Sequence, residues 1–254
     1  MIFQTDGIVI REQPLKEKDK LLTLLTRSHG VIRAFANGAR VPKNKLAAGA
    51  NLFCYSDLSV QLSDKGVFTL REASVKAVFF DLRQDIVMLT LAQYFAELSS
   101  CLAPREEDAS EFLRLLLNAL ALICQKKKPL SLIKSVTELR MLSMSGYMPS
   151  LLACDNCCTY LTPEMYFTAE DGHIYCENCR PQKQHLTVHG DVVTAMRHIC
   201  FVPLDNAFSF RMRAPLLKEL ADVCEAYVRK MVPVRLKTLD SYLDLETLGG
   251  SLNE

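Results

Sequence analysis

Two cysteine pairs at equal spacing constrain this chain more strongly than any other feature of its sequence. Cys154 and Cys157 form the first pair, and Cys176 and Cys179 form the second, each with two residues between its members. This spacing lets both sulfurs of a pair face a single point, and two such pairs complete a tetrahedron around Zn²⁺. We therefore predict a zinc motif at about residues 150–182.

The segment between the two pairs is predicted to be a β-hairpin that brings them together. Residues 166–168 and 174–175 are strand-like, and they flank the tight-turn dipeptide Asp171-Gly172. Four thiolates leave no open position for water, so we predict one structural Zn²⁺ ion rather than a catalytic one. Cys158 adjoins the first pair and is an alternative ligand in a C-x3-C arrangement.

The distribution of charge along the chain is more informative than its total. The formal net charge is +1, which indicates no particular partner. However, no acidic residue lies between Asp19 and Asp57. Localised positive charge attracts phosphate, although an ordinary solvated surface explains the same residues. The lysines and arginines of this acid-free window are Lys20, Arg27, Arg33, Arg40, Lys43 and Lys45.

The residue pattern changes from strands to helices along the chain. Short apolar or alternating stretches come first, and a three-residue connection that ends in Gly30 suits a hairpin. Five such strands fit a small closed barrel, for which an OB-fold is the natural candidate and an SH3-like barrel the alternative. Helical periodicity follows, including a segment at residues 188–200. We predict a multidomain α+β chain, with a barrel domain over residues 1–78 and, over residues 79–254, a helical domain that contains the inserted zinc motif.

Several absences favour a cytoplasmic protein. The N-terminus enters a strand-like pattern at once, without the basic and apolar regions of a signal peptide. No apolar run approaches the roughly 20 residues that span a bilayer, so we expect no membrane partner. The chain has 10 cysteines, and without an export signal the paired motifs favour metal over disulfides. Five of the other cysteines are predicted to be small core residues: Cys54, Cys101, Cys124, Cys200 and Cys224.

Three groups of residues, far apart in the chain, form a combined pattern. The first comprises Gly7-Ile8-Val9, residues 17–26, His29-Gly30 and residues 37–45. The second comprises residues 138–142 and 146–149, which lead into Cys154. The third comprises Tyr227-Val228 and residues 236–239. In order and extent these groups resemble the RecO family of bacterial recombination-mediator and DNA-repair proteins, and the resemblance spans nearly the whole chain.

The resemblance implies an N-terminal OB-fold and a helical domain that holds the zinc motif. It implies a non-enzymatic protein that binds single- and double-stranded DNA, anneals complementary strands and helps to load the recombinase RecA on coated single-stranded DNA. The implied protein partners are RecR and the acidic tail of the single-strand DNA-binding protein, and the expected location is cytoplasmic and nucleoid-associated. With this resemblance, the six cations of the acid-free window become the predicted DNA-binding residues, and no catalytic residue is predicted.

Two other functions remain compatible with the residues. One is an enzyme that processes nucleic acid, with a structural zinc and a barrel that docks the substrate. The other is a scaffold whose barrel binds protein rather than DNA. The chain also departs from the family at Cys158, where relatives commonly have a glycine that relaxes the knuckle into a left-handed turn.

Overall fold

A computed structural model of the chain describes residues 1–250. The first part of the chain consists of five strands, which form a closed barrel in the order β1-β2-β3-β5-β4. These strands are β1 (Ile2–Leu15), β2 (Asp19–Thr26), β3 (Gly30–Ala36), β4 (Cys54–Leu62) and β5 (Phe68–Val78). The barrel closes because β1 pairs with both β2 and β4.

The pairing between β3 and β5 identifies the type of barrel. These two strands run parallel, whereas an SH3-like barrel is antiparallel throughout. Side chains alternate between the two faces of each strand, and the inward positions of β2 and β3 are paired, as in Leu22 with Ala34 and Leu24 with Ile32. All four residues are buried in the barrel core. The predicted OB-fold, rather than the SH3-like alternative, is therefore confirmed.

The β2–β3 hairpin requires a glycine at the first residue of its second strand. Gly30 has φ +56°, which disfavours most side chains. A Cβ atom at this position would also lie 2.0 Å from the carbonyl oxygen of Pro104. The Thr26 hydroxyl donates to the carbonyl of Gly30 at 2.9 Å and closes the turn. The connection has three residues, as predicted, but it consists of residues 27–29 and is displaced by one position, because Gly30 already pairs with Thr26 as the first residue of β3.

Helices and a small sheet follow the barrel. The helices are α1 (Ile86–Leu102), α2 (Ser110–Gln125), α3 (Leu130–Met144), α4 (Gly190–Phe201), α5 (Ala214–Met231) and α6 (Lys237–Gly250). The sheet contains β6 (Glu164–Thr168), β7 (His173–Cys176) and β8 (Leu186–His189), in the order β7-β6-β8. Within residues 1–250, no helix has both the length and the apolar character needed to cross a bilayer.

The small sheet confirms one prediction and corrects another. β6 and β7 form the antiparallel hairpin predicted between the cysteine pairs, with Gly172 in the left-handed conformation at its turn. The prediction of a helix from residue 188 is wrong at its start. Val188 pairs with Met165 as part of β8, and α4 begins at Gly190. The periodicity missed this strand because four residues are too few to distinguish strand from helix.

The chain divides into two compact units. The first contains residues 1–124 and helix α6, and the second contains residues 125–236. In the first unit, the N-terminus of α6 is held by Glu97 of α1, which accepts hydrogen bonds from the amide and hydroxyl of Thr238. The predicted domain boundary after residue 78 coincides with the end of β5, and the division into domains at that point stays a prediction.

Buried charges hold the helices of the second unit together. Lys134 and Glu138 on α3 are both buried and lie 3.0 Å apart, and Glu225 on α5 approaches the same lysine at 3.9 Å. Arg140 donates from its two terminal nitrogens to the carbonyls of Cys200 and Val202, at 2.7 and 2.6 Å. Glu138 and Arg140 therefore have structural roles, the first between α3 and α5 and the second at the end of α4.

A network around Asp6 joins three strands at one end of the barrel. Arg27 donates from Nε and Nη2 to the Asp6 carboxylate at 2.7 and 2.8 Å, and the Tyr55 hydroxyl donates to the same carboxylate. Hydrogen bonding from Arg27 outweighs burial and lowers the pKa of Asp6 from its ordinary value of 3.8 to about 2. The network stabilises the barrel because Asp6 lies on β1, Tyr55 on β4 and Arg27 directly after β2.

Asp6→Asn is predicted to lower the free energy of unfolding at neutral pH by about 1–2 kcal/mol. This range is smaller than the pKa shift alone would give, because solvent screens the half-exposed Arg27. The folded-state pKa is depressed, so the stabilisation is present above pH 3.8 and is lost as the pH falls toward about 2. Denaturant unfolding at several acidic pH values should show the difference between the two proteins shrinking through this window. Asp57→Asn is the control, because Asp57 forms an exposed pair with Lys76. A difference that does not change with pH would contradict the role of Asp6.

Candidate metal centre and nucleic-acid interface

The four predicted cysteine ligands lie together in the folded chain. The Sγ atoms of Cys154, Cys157, Cys176 and Cys179 are all within 4.8 Å of one another. The sulfurs of Cys157 and Cys176 are 3.5 Å apart, and none of the four forms a disulfide. Four sulfurs at about 2.3 Å from a central ion would form a tetrahedron with edges of about 3.8 Å. The cluster therefore has the size and ligand set of a site that can hold a metal ion.

Local backbone structure explains how the two pairs meet. Cys154 and Cys157 lie on a tight turn, in which the Cys154 amide donates to the carbonyl of Thr159 at 2.8 Å. Cys176 ends β7, and Cys179 ends the single helical turn that follows. The amide of Asp155 donates to the carbonyl of Ile174 at 2.9 Å, which places the first turn beside the end of β7. Hydrogen bonds of the main chain thus position all four sulfurs.

The surroundings of the cluster favour thiolates at its first pair. The Thr159 hydroxyl, with its Oγ1 3.1 Å from the Cys157 sulfur, and its backbone amide lower the pKa of Cys157 to about 6. Burial opposes ionisation of Cys154, but backbone amides of the two knuckles outweigh it and lower the pKa of that thiol. Hydrogen bonding to Cys157 raises the pKa of Cys179 to about 12. A bound cation would favour the thiolate form at all four positions, because metal and protons compete for the same sulfurs.

Cys158 lies outside the cluster of four sulfurs. Its side chain is exposed, and its φ of 58° lies in the left-handed region that favours glycine. Its amide donates to the Cys154 carbonyl at 2.9 Å and completes the turn. Among the five predicted core cysteines, Cys54, Cys200 and Cys224 are buried and Cys124 is half-buried, but Cys101 is exposed, contrary to the prediction.

Three of the six predicted DNA-binding cations contact carboxylates of the barrel. Lys20 lies 2.6 Å from Glu12 and also donates to the carbonyl of Ala50 at 2.9 Å, at the opposite end of β2 from Arg27. Arg27 forms its fork with Asp6. Lys45 lies 2.8 Å from Glu72, with both side chains largely exposed. Lys20, Arg27 and Lys45 are therefore already partnered by carboxylates of the barrel, whereas Arg33, Arg40 and Lys43 form no ion pair within residues 1–250.

The strand register places Arg33 on the outer face of β1, β2 and β3. Arg33 pairs with Thr23, and Thr23 pairs with Arg11, so the two arginines flank one threonine on the same face. Both are exposed. The next outward position of β3 is Phe35, which is half-buried. We call Arg11, Thr23, Arg33 and Phe35 the outer face.

A second group of cations lies where the β1–β2 turn meets the loop after β3. Arg40 donates to the carbonyl of Lys16 at 3.0 Å from its side chain and to that of Lys18 at 2.9 Å from its amide. All three side chains are exposed, and so is Lys43. Sequence reasoning missed Arg11, Lys16 and Lys18, because acidic residues precede them or stand between them in the chain. Strand pairing places Arg11 near Arg33, and the hydrogen bonds of Arg40 place Lys16 and Lys18 beside that arginine.

The second unit also contains a groove of about 340 Å³ between α4 and the start of α5. The residues that line the α4–α5 groove include Asp191, Thr194, His198, Phe210, Arg211, Arg213 and Leu216. The His198 ring packs edge-on against Phe210, with ring centroids 5.3 Å apart. In the described part of the chain, neither arginine is within ion-pair distance of a carboxylate. The groove therefore combines apolar side chains with two unpaired positive charges.

Comparison with known proteins identifies the family. Residues 1–79 match the family Recombination protein O N terminal, and residues 83–240 match Recombination protein O C terminal. The chain belongs to the RecO family. The DNA repair protein RecO of Acetivibrio thermocellus is 31% identical over 248 residues, which cover 97% of this chain and 98% of the relative. The protein of the same name from Dehalococcoides mccartyi is 30% identical over 243 residues, which cover 94% and 95%.

Cys176→Ala is predicted to abolish stable metal binding in this RecO-family protein and to remove the stabilisation that metal provides. The physical reason is that three thiolates leave one coordination position open. Metal content after dialysis and the unfolding midpoint with and without chelator measure both effects. Cys158→Ala is the matched control and should keep the metal content of the original protein. Loss of metal from the Cys158 variant would show that this residue, rather than Cys157, completes the site.

Proposed function

We propose that this RecO-family protein is a non-enzymatic DNA-binding recombination mediator. It binds single- and double-stranded DNA, anneals complementary strands and helps to load the recombinase RecA on single-stranded DNA coated with its binding protein. The observation that carries the proposal is the pair of exposed arginines, Arg11 and Arg33, that flanks Thr23 on an OB-fold. OB-folds bind oligonucleotides on the face formed by their second and third strands.

The pairing of charges ranks the predicted DNA-binding residues. Arg33, Arg40 and Lys43 are exposed, and no carboxylate lies within ion-pair distance of them in residues 1–250. They are therefore available to replace the counterions of phosphate groups. By contrast, Lys20, Arg27 and Lys45 would have to leave carboxylates that already neutralise them. We propose that Arg33, Arg40 and Lys43, supported by Arg11, Lys16 and Lys18, provide most of the electrostatic attraction.

Annealing by such a surface requires no covalent chemistry. Two complementary strands repel each other because each carries a negative charge at every phosphate. A cationic face lowers that repulsion while it holds both strands nearby, and the half-buried Phe35 provides an aromatic edge beside the cations on which a base can stack. Contacts to phosphate carry no sequence information, so binding should be independent of sequence. A protein with this activity would be nucleoid-associated.

We propose that the four-cysteine cluster binds one structural Zn²⁺ ion. The sulfur positions fit a closed tetrahedral site, and four thiolates exclude the water that a catalytic zinc activates. Bound zinc would join the turn that carries Cys154 and Cys157 to the end of β7. Its contribution would be folding free energy for that turn, because most side chains of residues 152–160 are exposed or half-buried.

The α4–α5 groove is our candidate for the acidic tail of the single-strand DNA-binding protein. Arg211 and Arg213 line the groove, are exposed, and have no carboxylate partner among the described residues. Phe210 and Leu216 are half-buried and form an apolar lining. Acidic side chains would meet the guanidiniums while an apolar side chain enters the groove. RecR remains a proposed partner from the family, and we assign no surface to it.

The combined substitution of Arg33, Arg40 and Lys43 by alanine is predicted to weaken binding to oligonucleotides of any sequence and to slow annealing. The slope of log affinity against log salt concentration should also become less negative. The change is about 0.7 for single strands and about 0.9 for duplex for every phosphate that the variant no longer neutralises. Fluorescence titrations over a salt series measure the slope, and annealing is followed without nucleotide or added Mg²⁺.

The matched control replaces Lys76, Lys183 and Lys230 by alanine. It removes the same formal charge, but each of these exposed lysines contacts a carboxylate. The control should leave the salt dependence close to that of the original protein. Equal effects of the two triple variants would mean that net charge, rather than this surface, determines binding. Strand cleavage that depends on Mg²⁺ or Mn²⁺ would favour an enzyme, and failure to bind oligonucleotides at low salt would favour a protein scaffold.

Double substitution of Arg211 and Arg213 by alanine is predicted to weaken binding of an acidic peptide by about tenfold or more, because the peptide can no longer accept charge-assisted hydrogen bonds there. The probe is a labelled peptide of several aspartates that ends in phenylalanine, measured by fluorescence anisotropy. Alanine at Lys183 and Lys230 provides the control, since it removes two cations elsewhere in the second unit. Peptide affinity that is unchanged in the arginine variant would exclude the α4–α5 groove as the site.

A further inference from the structure

A single buried arginine holds the loop that carries the first cysteine pair. Arg197 lies on α4 and is 8% exposed. Its Nε donates to the carbonyl of Leu151 at 2.6 Å, and its Nη2 donates to the carbonyls of Leu152 at 3.1 Å and Tyr160 at 2.5 Å. One guanidinium thus satisfies three main-chain acceptors.

The three carbonyls belong to residues on both sides of the first cysteine pair. Leu151 and Leu152 directly precede the segment that contains Cys154 and Cys157, and Tyr160 follows it. The guanidinium therefore connects the two ends of the loop that bears both sulfurs. The Tyr160 ring also covers the arginine, with the guanidinium carbon 4.0 Å from the ring centroid.

Arg197 does not form an ion pair with any carboxylate of the described residues. Its buried Nη1 also has no hydrogen-bond partner within residues 1–250. Burial of a cation without a counterion is costly. The three carbonyl dipoles and the aromatic ring are its compensation, and all of them belong to the cysteine loop. The buried arginine and the loop therefore stabilise each other.

A second contact holds the continuation of the same loop against the start of α4. The amide of Gly190 donates to the carbonyl of Pro163 at 2.8 Å. A Cβ atom at Gly190 would lie 2.7 Å from the carbonyl oxygen of Thr162, so the close approach requires glycine. Helix α4 thus supports the loop at its first residue and again about two turns later, at Arg197.

We propose that Arg197 is a positioning residue for the metal site, and the proposal rests on the zinc binding proposed above. By joining the ends of the loop in the metal-free chain, Arg197 removes much of the conformational entropy that metal binding would otherwise have to overcome. Residues that orient metal ligands from outside the coordination sphere typically change metal affinity by 10- to 100-fold. Arg197 acts on Cys154 and Cys157 in this way through the main chain.

The test compares Arg197→Gln and Arg197→Lys with the original protein. Zinc affinity is measured by competition with a chromogenic chelator, and unfolding midpoints are measured for the metal-free and zinc-loaded forms. Arg197→Gln should weaken zinc affinity by about 10- to 100-fold. Arg197→Lys keeps the charge and much of the stem but loses the planar fork, so it should weaken affinity by about tenfold. In both variants, the increase in midpoint on zinc binding should be smaller than in the original protein.

Arg180→Gln is the control for charge alone. Arg180 directly follows Cys179, is exposed, and packs on Tyr166 with its guanidinium carbon 4.7 Å from the ring centroid. It donates to His185 at 3.1 Å and to none of the loop carbonyls named above. The control removes a cation next to a ligand and should leave zinc affinity within about threefold of the original, well short of the effect at Arg197.

Several outcomes would overturn the proposal. One is zinc affinity in Arg197→Lys that equals that of the original protein, and this variant decides the matter if Arg197→Gln does not fold. Another is an equal loss of affinity in Arg180→Gln, which would assign the effect to charge. A third is an equal drop in the unfolding midpoint of metal-free and zinc-loaded forms, which would make Arg197 merely a packing residue. If the original protein itself binds no zinc, the proposed metal site fails, and that result is distinct from the other three.

Discussion

The alternation of side chains across a closed barrel is the constraint on which the proposed nucleic-acid interface depends. Leu22 and Leu24 point inward with their partners on β3, and therefore Thr23 and Arg33 must point outward. The same register carries Arg11 to the outward side of β1. A shift of pairing by one residue would bury these arginines and expose the core. The hydrophobic core and the cationic face are thus two consequences of one hydrogen-bond pattern.

Charge pairing within the barrel then separates structural cations from available ones. Arg27 is bound by Asp6, whose pKa falls to about 2 through this contact, and this pair joins strands at one end of the barrel. Lys20 contacts Glu12 and a loop carbonyl at the other end. Such residues stabilise the scaffold, because removing one partner leaves a partly buried charge unmatched. Cations without carboxylate partners among the described residues are those that can exchange water and counterions for phosphate.

The first unit is stabilised by the apolar core of its barrel. In the second unit, the end of α4 and the cysteine loop are held by hydrogen bonds to main-chain carbonyls, and the loop carries two of the four thiols. Arg140 donates to two carbonyls and Arg197 to three, and the first side chain is half-buried whereas the second is buried. These contacts hold the end of α4 and the loop of the first cysteine pair. The four sulfurs then lie close enough for one metal ion. A loop with few buried side chains is thereby fastened by polar contacts, which are directional and so define the positions of the ligands.

Several structural features of this protein follow from the sequence alone. The equal spacing of the cysteine pairs, the Asp-Gly turn between them and the alternating strands depend on neighbours in the chain, so the four-cysteine cluster, the β6–β7 hairpin and the OB-fold barrel were predictable. Other features depend on residues distant in sequence. The acid-free window contains six cations, but only strand pairing decides that Arg33 is joined by Arg11 and that Arg27 is occupied by Asp6. Likewise, the residues that neighbour Arg197 in the sequence do not indicate that it holds the loop at Leu151 and Tyr160. Arg197 and this loop meet only when α4 packs beside the small sheet. Local spacing selects which structures can form, whereas tertiary contacts decide which charges remain available for a partner.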